Sequence, residues 1–117
     1  VPLIDRISEL SGIAYGAEEK YDISIRIVAD HVKTAVFILG DDRNVRPSNL
    51  GRGYVLRRLV RRAVREGKKI GIEDLFLTEP GRLVIDMYRE FYPELGKNAD
   101  VILSELRGEE ERFLTTL

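Results

Sequence analysis

The sequence predicts an all-α protein, a bundle of about five helices that forms a single domain over residues 1–117. Apolar residues recur at steps of three and four, which is the spacing of an amphipathic helix. Glycine and proline separate segments of helical length, and no strand alternation or βαβ unit is evident. A chain of this size supports one core. It begins without methionine and stops inside a helical pattern, so we expect an excerpt of a longer protein.

The first two helices are predicted from their boundaries and apolar stripes. A short helix fits Leu3–Ser11 and ends at Gly12. A longer helix fits Ile23–Leu39 and ends at Gly40, because glycine is the commonest residue after a helix C-terminus. Its core-facing stripe consists of Ile25, Val28, Val32, Val36 and Leu39.

The remaining helices follow a turn that contains Pro47. We expect a helix over Leu50–Glu66 with Gly67 as its C-cap, and a helical turn at Glu73–Leu77. A further helix starts at Pro80-Gly81 and runs through Tyr92, and Pro93 closes it. A last helix starts near Asn98 and contains Gly108. Its core side carries Ile102, Leu106, Phe113 and Leu117.

The composition excludes several kinds of site. Cysteine is absent and there is one histidine, so disulfides, thiolate chemistry and a zinc site are not expected. We find no apolar run long enough to span a bilayer and no secretory leader, so we expect no membrane partner. The net charge is −1, but residues 43–69 carry most of the Arg and Lys while 73–111 carry most of the Asp and Glu. Such segregation creates a local positive field that favours phosphates.

The third helix concentrates this positive charge on one face. Around an ideal helix, one half-circumference is apolar: Val55, Leu56, Leu59, Val60, Ala63 and Val64. The opposite arc contains Tyr54 and five arginines: Arg57, Arg58, Arg61, Arg62 and Arg65. Planar guanidinium groups bind phosphates through paired hydrogen bonds, and an aromatic ring stacks on a base or packs against a ribose. The pattern indicates a polyanion-binding face, in particular for RNA.

The turn before this helix contains candidate contacts with two interpretations each. The side-chain amide of Asn49 offers a donor and an acceptor to a base edge, or else Asn49 or Ser48 caps the helix. Gly51 and Gly53, on either side of Arg52, let the backbone approach a phosphate, or else provide a turn with positive φ.

Two further groups of polar residues have simpler interpretations. Asp30 and His31 lie beside the core stripe of the second helix, and we expect His31 to form a structural hydrogen bond between helices rather than to act in catalysis. The run Glu109-Glu110-Glu111 is expected to be a solvated helix face.

Several segments carry a resemblance to a known family. Residues 27–39 and 46–63, the latter with the motif Pro-Ser-Asn-Leu-Gly-Arg-Gly-Tyr-Val-Leu-Arg-Arg, closely resemble the central region of alanyl-tRNA synthetases. The resemblance continues in residues 108–117 and spans nearly the whole chain. These class II enzymes activate alanine with ATP and esterify it to its tRNA in the cytoplasm. The resemblance implies that a catalytic domain precedes this region and editing modules follow, so the parent enzyme would bind ATP and zinc but this region would not.

The same resemblance implies the role of the candidate residues. Alanyl-tRNA synthetases read a G·U pair in the tRNA acceptor stem, and the asparagine of their Pro-Ser-Asn motif, here Asn49, takes part. A second reader, an aspartate, would lie beyond Leu117. The family often has Glu where Leu50 stands. The implied tRNA-binding residues are Asn49, Gly51, Arg52, Tyr54, Arg57, Arg58, Arg61 and Arg65. Without the resemblance, two alternatives remain: a generic helical nucleic-acid-binding module, or a protein-interaction bundle with a basic face.

Overall fold

A computed structural model describes residues 1–116 and contains six α-helices within that range, without strands. The helices are α1 (Pro2–Ser11), α2 (Glu19–Gly40), α3 (Gly51–Lys69), α4 (Thr78–Tyr88), α5 (Pro93–Lys97) and α6 (Ala99–Thr116). The all-α prediction is confirmed, and the sixth helix is the short α5. Leu117, which we expected on the core side, lies outside the described residues.

Helix α2 is the centre of the bundle, because it contacts each of the other five helices. Its predicted stripe is buried, and Ala29 and Ala35 add small side chains beside it. The pairing of α2 with α3 is the most extensive in the fold. Near its end, Gly40 lies so close to α5 that an added Cβ would be 2.6 Å from the Leu95 side chain. The helices form a slab of 40 × 35 × 20 Å, about two helix diameters thick.

The segment 73–77 is not the helical turn that the sequence predicts. The Glu110 carboxylate of α6 accepts hydrogen bonds from the backbone N–H of Phe76 at 2.8 Å and of Leu77 at 3.2 Å. These N–H groups therefore bond to a side chain of another helix instead of to carbonyls one turn earlier. Helix α4 begins directly afterwards at Thr78 and ends at Tyr88, short of the expected Tyr92. Pro93 begins α5, where its missing N–H costs nothing, rather than closing α4.

Helix α3 extends past the expected cap. Gly67 lies inside the helix, and a Cβ added to it would be 2.6 Å from the Phe76 ring. The absent side chain thus allows a close contact with the loop before α4. The helix stops at Lys69, after which Ile70 is the C-cap and Gly71 adopts a φ of 88°.

The third helix is rotated about its axis relative to the predicted arcs. Leu56, Val60, Ala63 and Val64 are buried as expected. Val55 is 49% exposed and Leu59 is only partly buried, although both belong to the predicted apolar arc. The rotation turns part of the arginine face towards α6. Among residues 1–116, no helix is both long and apolar enough to cross a membrane.

Candidate nucleic-acid interface

Hydrogen bonds of the backbone and of the Ser48 hydroxyl stabilise the turn before α3. The Ser48 N–H donates to the Gly53 carbonyl at 3.1 Å, and the Ser48 hydroxyl donates to the Leu50 carbonyl at 3.0 Å. A Cβ on Gly53 would be 2.0 Å from the Ser48 hydroxyl oxygen and 2.4 Å from the Arg46 carbonyl. Gly53 therefore lacks a side chain because the preceding turn packs against it.

The N-terminus of α3 is open. Gly51 adopts a φ of 57°, and nothing lies within 4 Å of the position where its Cβ would be. The N-cap residue is Leu50, 82% exposed, and no side chain caps the helix. The first turn has no acidic residue. Its unsatisfied N–H groups and the helix dipole create a positive field at an accessible surface.

Asn49 is exposed and is not a helix cap, so the capping interpretation is wrong. Its Oδ1 atom accepts a hydrogen bond from Nη1 of Arg57 at 2.5 Å. Arg57 in turn places its Nε atom 3.3 Å from a carboxylate oxygen of Glu109 on α6. A chain of contacts therefore runs from the exposed amide to the helix behind it.

Glu109 is the buried residue at which this series of contacts ends. Its side chain is fully buried, and its carboxylate contacts three guanidinium groups: Arg57 at 3.3 Å, Arg61 at 2.9 Å and Arg112 at 2.9 Å. The Nε–H of Arg57 faces Glu109 without a formal hydrogen bond, whereas Arg61 and Arg112 donate to it. The expectation of a solvated acidic face is wrong for Glu109 and also for Glu110, which is 1% exposed. Both lie inside the contact of α6 with α3 and with the loop before α4.

Burial changes the acid strength of these carboxyl groups. Burial raises the pKa of Glu110, and the hydrogen bonds from two backbone N–H groups offset only part of that rise. For Glu66, burial also opposes ionisation, but hydrogen bonds from Lys69 and Ser24 outweigh it and lower the pKa. Ser24 donates to Glu66 at 2.9 Å across the interface of α2 and α3. Each buried acid therefore has a specific partner on a neighbouring element.

The arginines of α3 divide into two rows. Arg57 and Arg61 are 21% and 33% exposed and pair with Glu109. The outer row is exposed and forms no ion pair within residues 1–116, and it consists of Arg58, Arg62 and Arg65. The guanidinium of Arg58 lies 5.8 Å from the Tyr54 ring, and that of Arg65 lies 5.4 Å from the Phe113 ring.

Arg52 and Tyr54 also face solvent, at the first turn of the helix. Tyr54 is 46% exposed, and Arg52 is exposed without an ion pair in the described part of the chain. The exposed phenol, the unpaired guanidinium groups and the open helix terminus share one end of α3. Such a surface can accept phosphates and stack on a base.

Comparison with known proteins identifies the family. A family model described as tRNA synthetases class II (A) matches residues 1–117. The chain belongs to this family of class II tRNA synthetases. The match covers the whole chain, so a helical module unrelated to aminoacyl-tRNA synthetases is no longer a suitable alternative.

Individual relatives of this class II synthetase chain share one name. An alanine–tRNA ligase of Treponema pallidum (strain Nichols) is 52% identical over 116 residues, which are 99% of the chain and 19% of that protein. An alanine–tRNA ligase of Borreliella afzelii (strain PKo) is 51% identical over 117 residues, or 100% and 20% of the two chains. An alanine–tRNA ligase of Natranaerobius thermophilus is 46% identical over 116 residues, which are 99% of this chain and 13% of that protein. The chain thus spans about a fifth or less of the length of these relatives.

Sequence reasoning missed Glu109 and Arg112 as parts of this class II synthetase surface. The signal was present, because Leu106, Glu109, Glu110 and Phe113 are spaced as the core face of a helix.

His31 does not bridge helices as expected. It is half-buried and bonds to the Ile27 backbone on its own helix, and within residues 1–116 no hydrogen bond joins it to another helix. Among residues 1–116, no group of three or more His, Asp or Glu residues is arranged to hold a metal.

Proposed function

We propose that this chain is the acceptor-stem recognition domain of an alanine–tRNA ligase, an enzyme that attaches alanine to tRNA(Ala) with ATP. Family membership over the whole chain and relatives that are about half identical support this function. The chain spans about a fifth of those relatives. In this proposal, other domains of the parent enzyme carry out catalysis and bind ATP and zinc. The parent enzyme would act in the cytoplasm.

The observation that carries this proposal is the exposed amide of Asn49, which Arg57 holds in place. Arg57 uses one of the two lone pairs on Oδ1. Among residues 1–116 no other group bonds to this amide, so the second lone pair and both amide hydrogens are available to a base edge. In a G·U pair, the exocyclic amine of guanine lacks its usual partner and lies in the wide minor groove of A-form RNA. An amide that is fixed in advance loses little side-chain entropy when it binds such a group.

The cations around Asn49 would position the stem. Phosphate contacts fix the register of a protein on a duplex, whereas base contacts supply specificity. Arg52 and Arg58 are exposed and unpaired within residues 1–116, and the adjacent Tyr54 ring is accessible. In this proposal Gly51 leaves the helix N-terminus open to the RNA backbone. Arg57 and Arg61 contribute positive charge at the same face but are fixed by Glu109, and Arg65 extends the exposed row.

The substitution Asn49→Ala in the full-length ligase tests the proposal. We expect a loss of about 1–3 kcal/mol in transition-state binding on a G·U stem, which is the range for a good base-edge contact. The loss should shrink on a stem that carries G·C, because that pair offers no free amine. Aminoacylation of both stems by wild type and variant gives the two ratios.

A neighbouring substitution provides the control. Leu50→Ala truncates an exposed side chain in the same turn without removing an amide. It should change aminoacylation of both stems by the same factor. If Asn49→Ala also reduces aminoacylation of both stems equally, Asn49 does not read the base pair, and the proposal of acceptor-stem recognition by this amide fails.

A further inference from the structure

A second cluster of basic groups lies in a groove between α2 and α3, on the far side of α3 from Glu109. Arg58 and Arg62 lie one helical turn apart and are both exposed. Together with His31 of α2 and the apolar side chains of Val55 and Leu59, they line a shallow groove. The groove shares Arg58 with the exposed surface around Tyr54 but extends away from the Asn49 turn.

The two arginines of this groove place like charges one helical turn apart. Like charges four residues apart on a helix repel each other, at a cost of a few tenths of a kcal/mol. Neither Arg58 nor Arg62 has an ion-pair partner in the described part of the chain. Glu66 lies near Arg62, but Ser24 and Lys69 bind its two oxygen atoms at 2.9 and 3.0 Å.

Val55 and Leu59 add apolar surface to the groove beside the two guanidinium groups. Apolar surface next to a charge lowers the local dielectric, and this strengthens the attraction of the arginines for a bound anion. A phosphate group fits these features, because guanidinium forks bind its oxygens in pairs. A protonated imidazole donates a further hydrogen bond through the ring nitrogen that does not bond to the Ile27 carbonyl.

We propose that the groove lined by His31, Arg58 and Arg62 binds a phosphate of the RNA backbone. The inference rests on the proposed function for the identity of the ligand as RNA, and it adds His31 and Arg62 to the contacts of that surface. The site would hold the duplex through charge and would not distinguish one base pair from another.

The electrostatics of His31 provide a direct readout. Burial, and then the positive charge of Arg62, lower the pKa of His31, while the Ile27 backbone, Asp30 and Glu66 oppose this shift. An anion between the arginines and the imidazole would offset the repulsion from Arg62, so the pKa of His31 should rise when phosphate binds. By linkage, the affinity for the anion should then increase as the pH falls through that pKa.

Because the chain has a single histidine, NMR of its imidazole protons reports on this site alone. We would titrate the chain from pH 5 to 8 without ligand, with inorganic phosphate and with an RNA duplex of the acceptor stem, and check its helicity by circular dichroism. The expected result is an upward shift of the His31 midpoint with both ligands. A shift with inorganic phosphate alone would limit the groove to small anions and overturn the RNA assignment. No shift with either ligand would overturn the site.

A charge-neutralising variant tests the same site in the full-length ligase. Arg62→Gln should flatten the slope of log affinity for tRNA against log salt concentration by up to about one unit. The matched control is Arg82→Gln, which removes another exposed arginine without an ion pair in residues 1–116, on α4, a helix that has no extensive contact with α3. The proposal fails if both variants leave the slope unchanged. This slope does not depend on the base pair, so the outcome is independent of the Asn49 test.

Discussion

The carboxylate of Glu109 connects the packing of the bundle to the position of Asn49, and the substitution Glu109→Gln tests this connection. The side chain is fully buried and contacts Arg57, Arg61 and Arg112. Glutamine has nearly the same shape and keeps one acceptor oxygen, but it removes the negative charge. The three guanidinium groups would then repel one another around a neutral amide.

The expected loss of stability follows from burial and exposure. Removing one partner of a buried ion pair typically costs about 3–5 kcal/mol, because a charge is left uncompensated. Here the arginines are 21%, 33% and 53% exposed, so water can solvate part of their charge. The remaining acceptor of glutamine also retains one hydrogen bond. We therefore expect a decrease of about 1–3 kcal/mol in the free energy of unfolding, which corresponds to a decrease in Tm of about 4–12 °C.

Urea unfolding, followed by circular dichroism, measures this decrease. The matched control is Glu111→Gln, two residues later on the same helix, where the carboxylate is 54% exposed and, within residues 1–116, pairs with Arg107 alone. That variant should lose no more than about 0.5 kcal/mol. Equal losses in the two variants would refute the view that the Glu109 cluster is a structural centre.

The remaining predictions concern packing and pH. Gly67→Ala should destabilise the fold by about 1–3 kcal/mol, because its Cβ would be 2.6 Å from the Phe76 ring. Gly108→Ala meets only the flexible end of Arg112 at 3.4 Å, so it should stabilise α6 by up to about 1 kcal/mol, and thermal melts of both variants should shift in opposite directions. The raised pKa of Glu110 implies stabilisation that is complete below about pH 4 and is lost as the pH rises through that pKa. Glu110→Gln should therefore gain stability relative to wild type from pH 4 to 8, as urea unfolding across that range would show; a constant difference would contradict this.

Local sequence rules predict most of the helices because the signals are themselves local. The stripe of α2 and the Gly12 terminus of α1 are confirmed at the expected positions. The errors occur where another element decides the outcome. Residues near Phe76 fail to form a turn because Glu110, more than thirty residues later, binds their N–H groups. Gly67 lies inside the helix instead of ending it, and its missing side chain makes room for the Phe76 ring.

In the candidate site, too, some features follow from the local sequence and others depend on a neighbouring helix. The concentration of arginines on α3 is evident in the sequence, and so is the asparagine in the turn before it. Which arginines remain exposed depends on how α3 is rotated against α6, and that rotation depends on the buried acids of α6. The spacing of Glu109 and Glu110 with Leu106 and Phe113 places them on the core face. Their acidic character led to the opposite prediction, because unpaired acids are rarely buried.

The rotation of α3 also explains how one helix can serve both structure and binding. If all five arginines faced solvent, the Asn49 amide would have no tie to α6 through Arg57. Because Arg57 faces α6, the Asn49 amide is tied to a carboxylate that cannot move without disrupting the core. The outer row, Arg58, Arg62 and Arg65, has no such tie within residues 1–116 and can adjust to a flexible backbone. A rigid amide beside adaptable cations is the arrangement that sequence-specific contact within a general phosphate-binding surface requires.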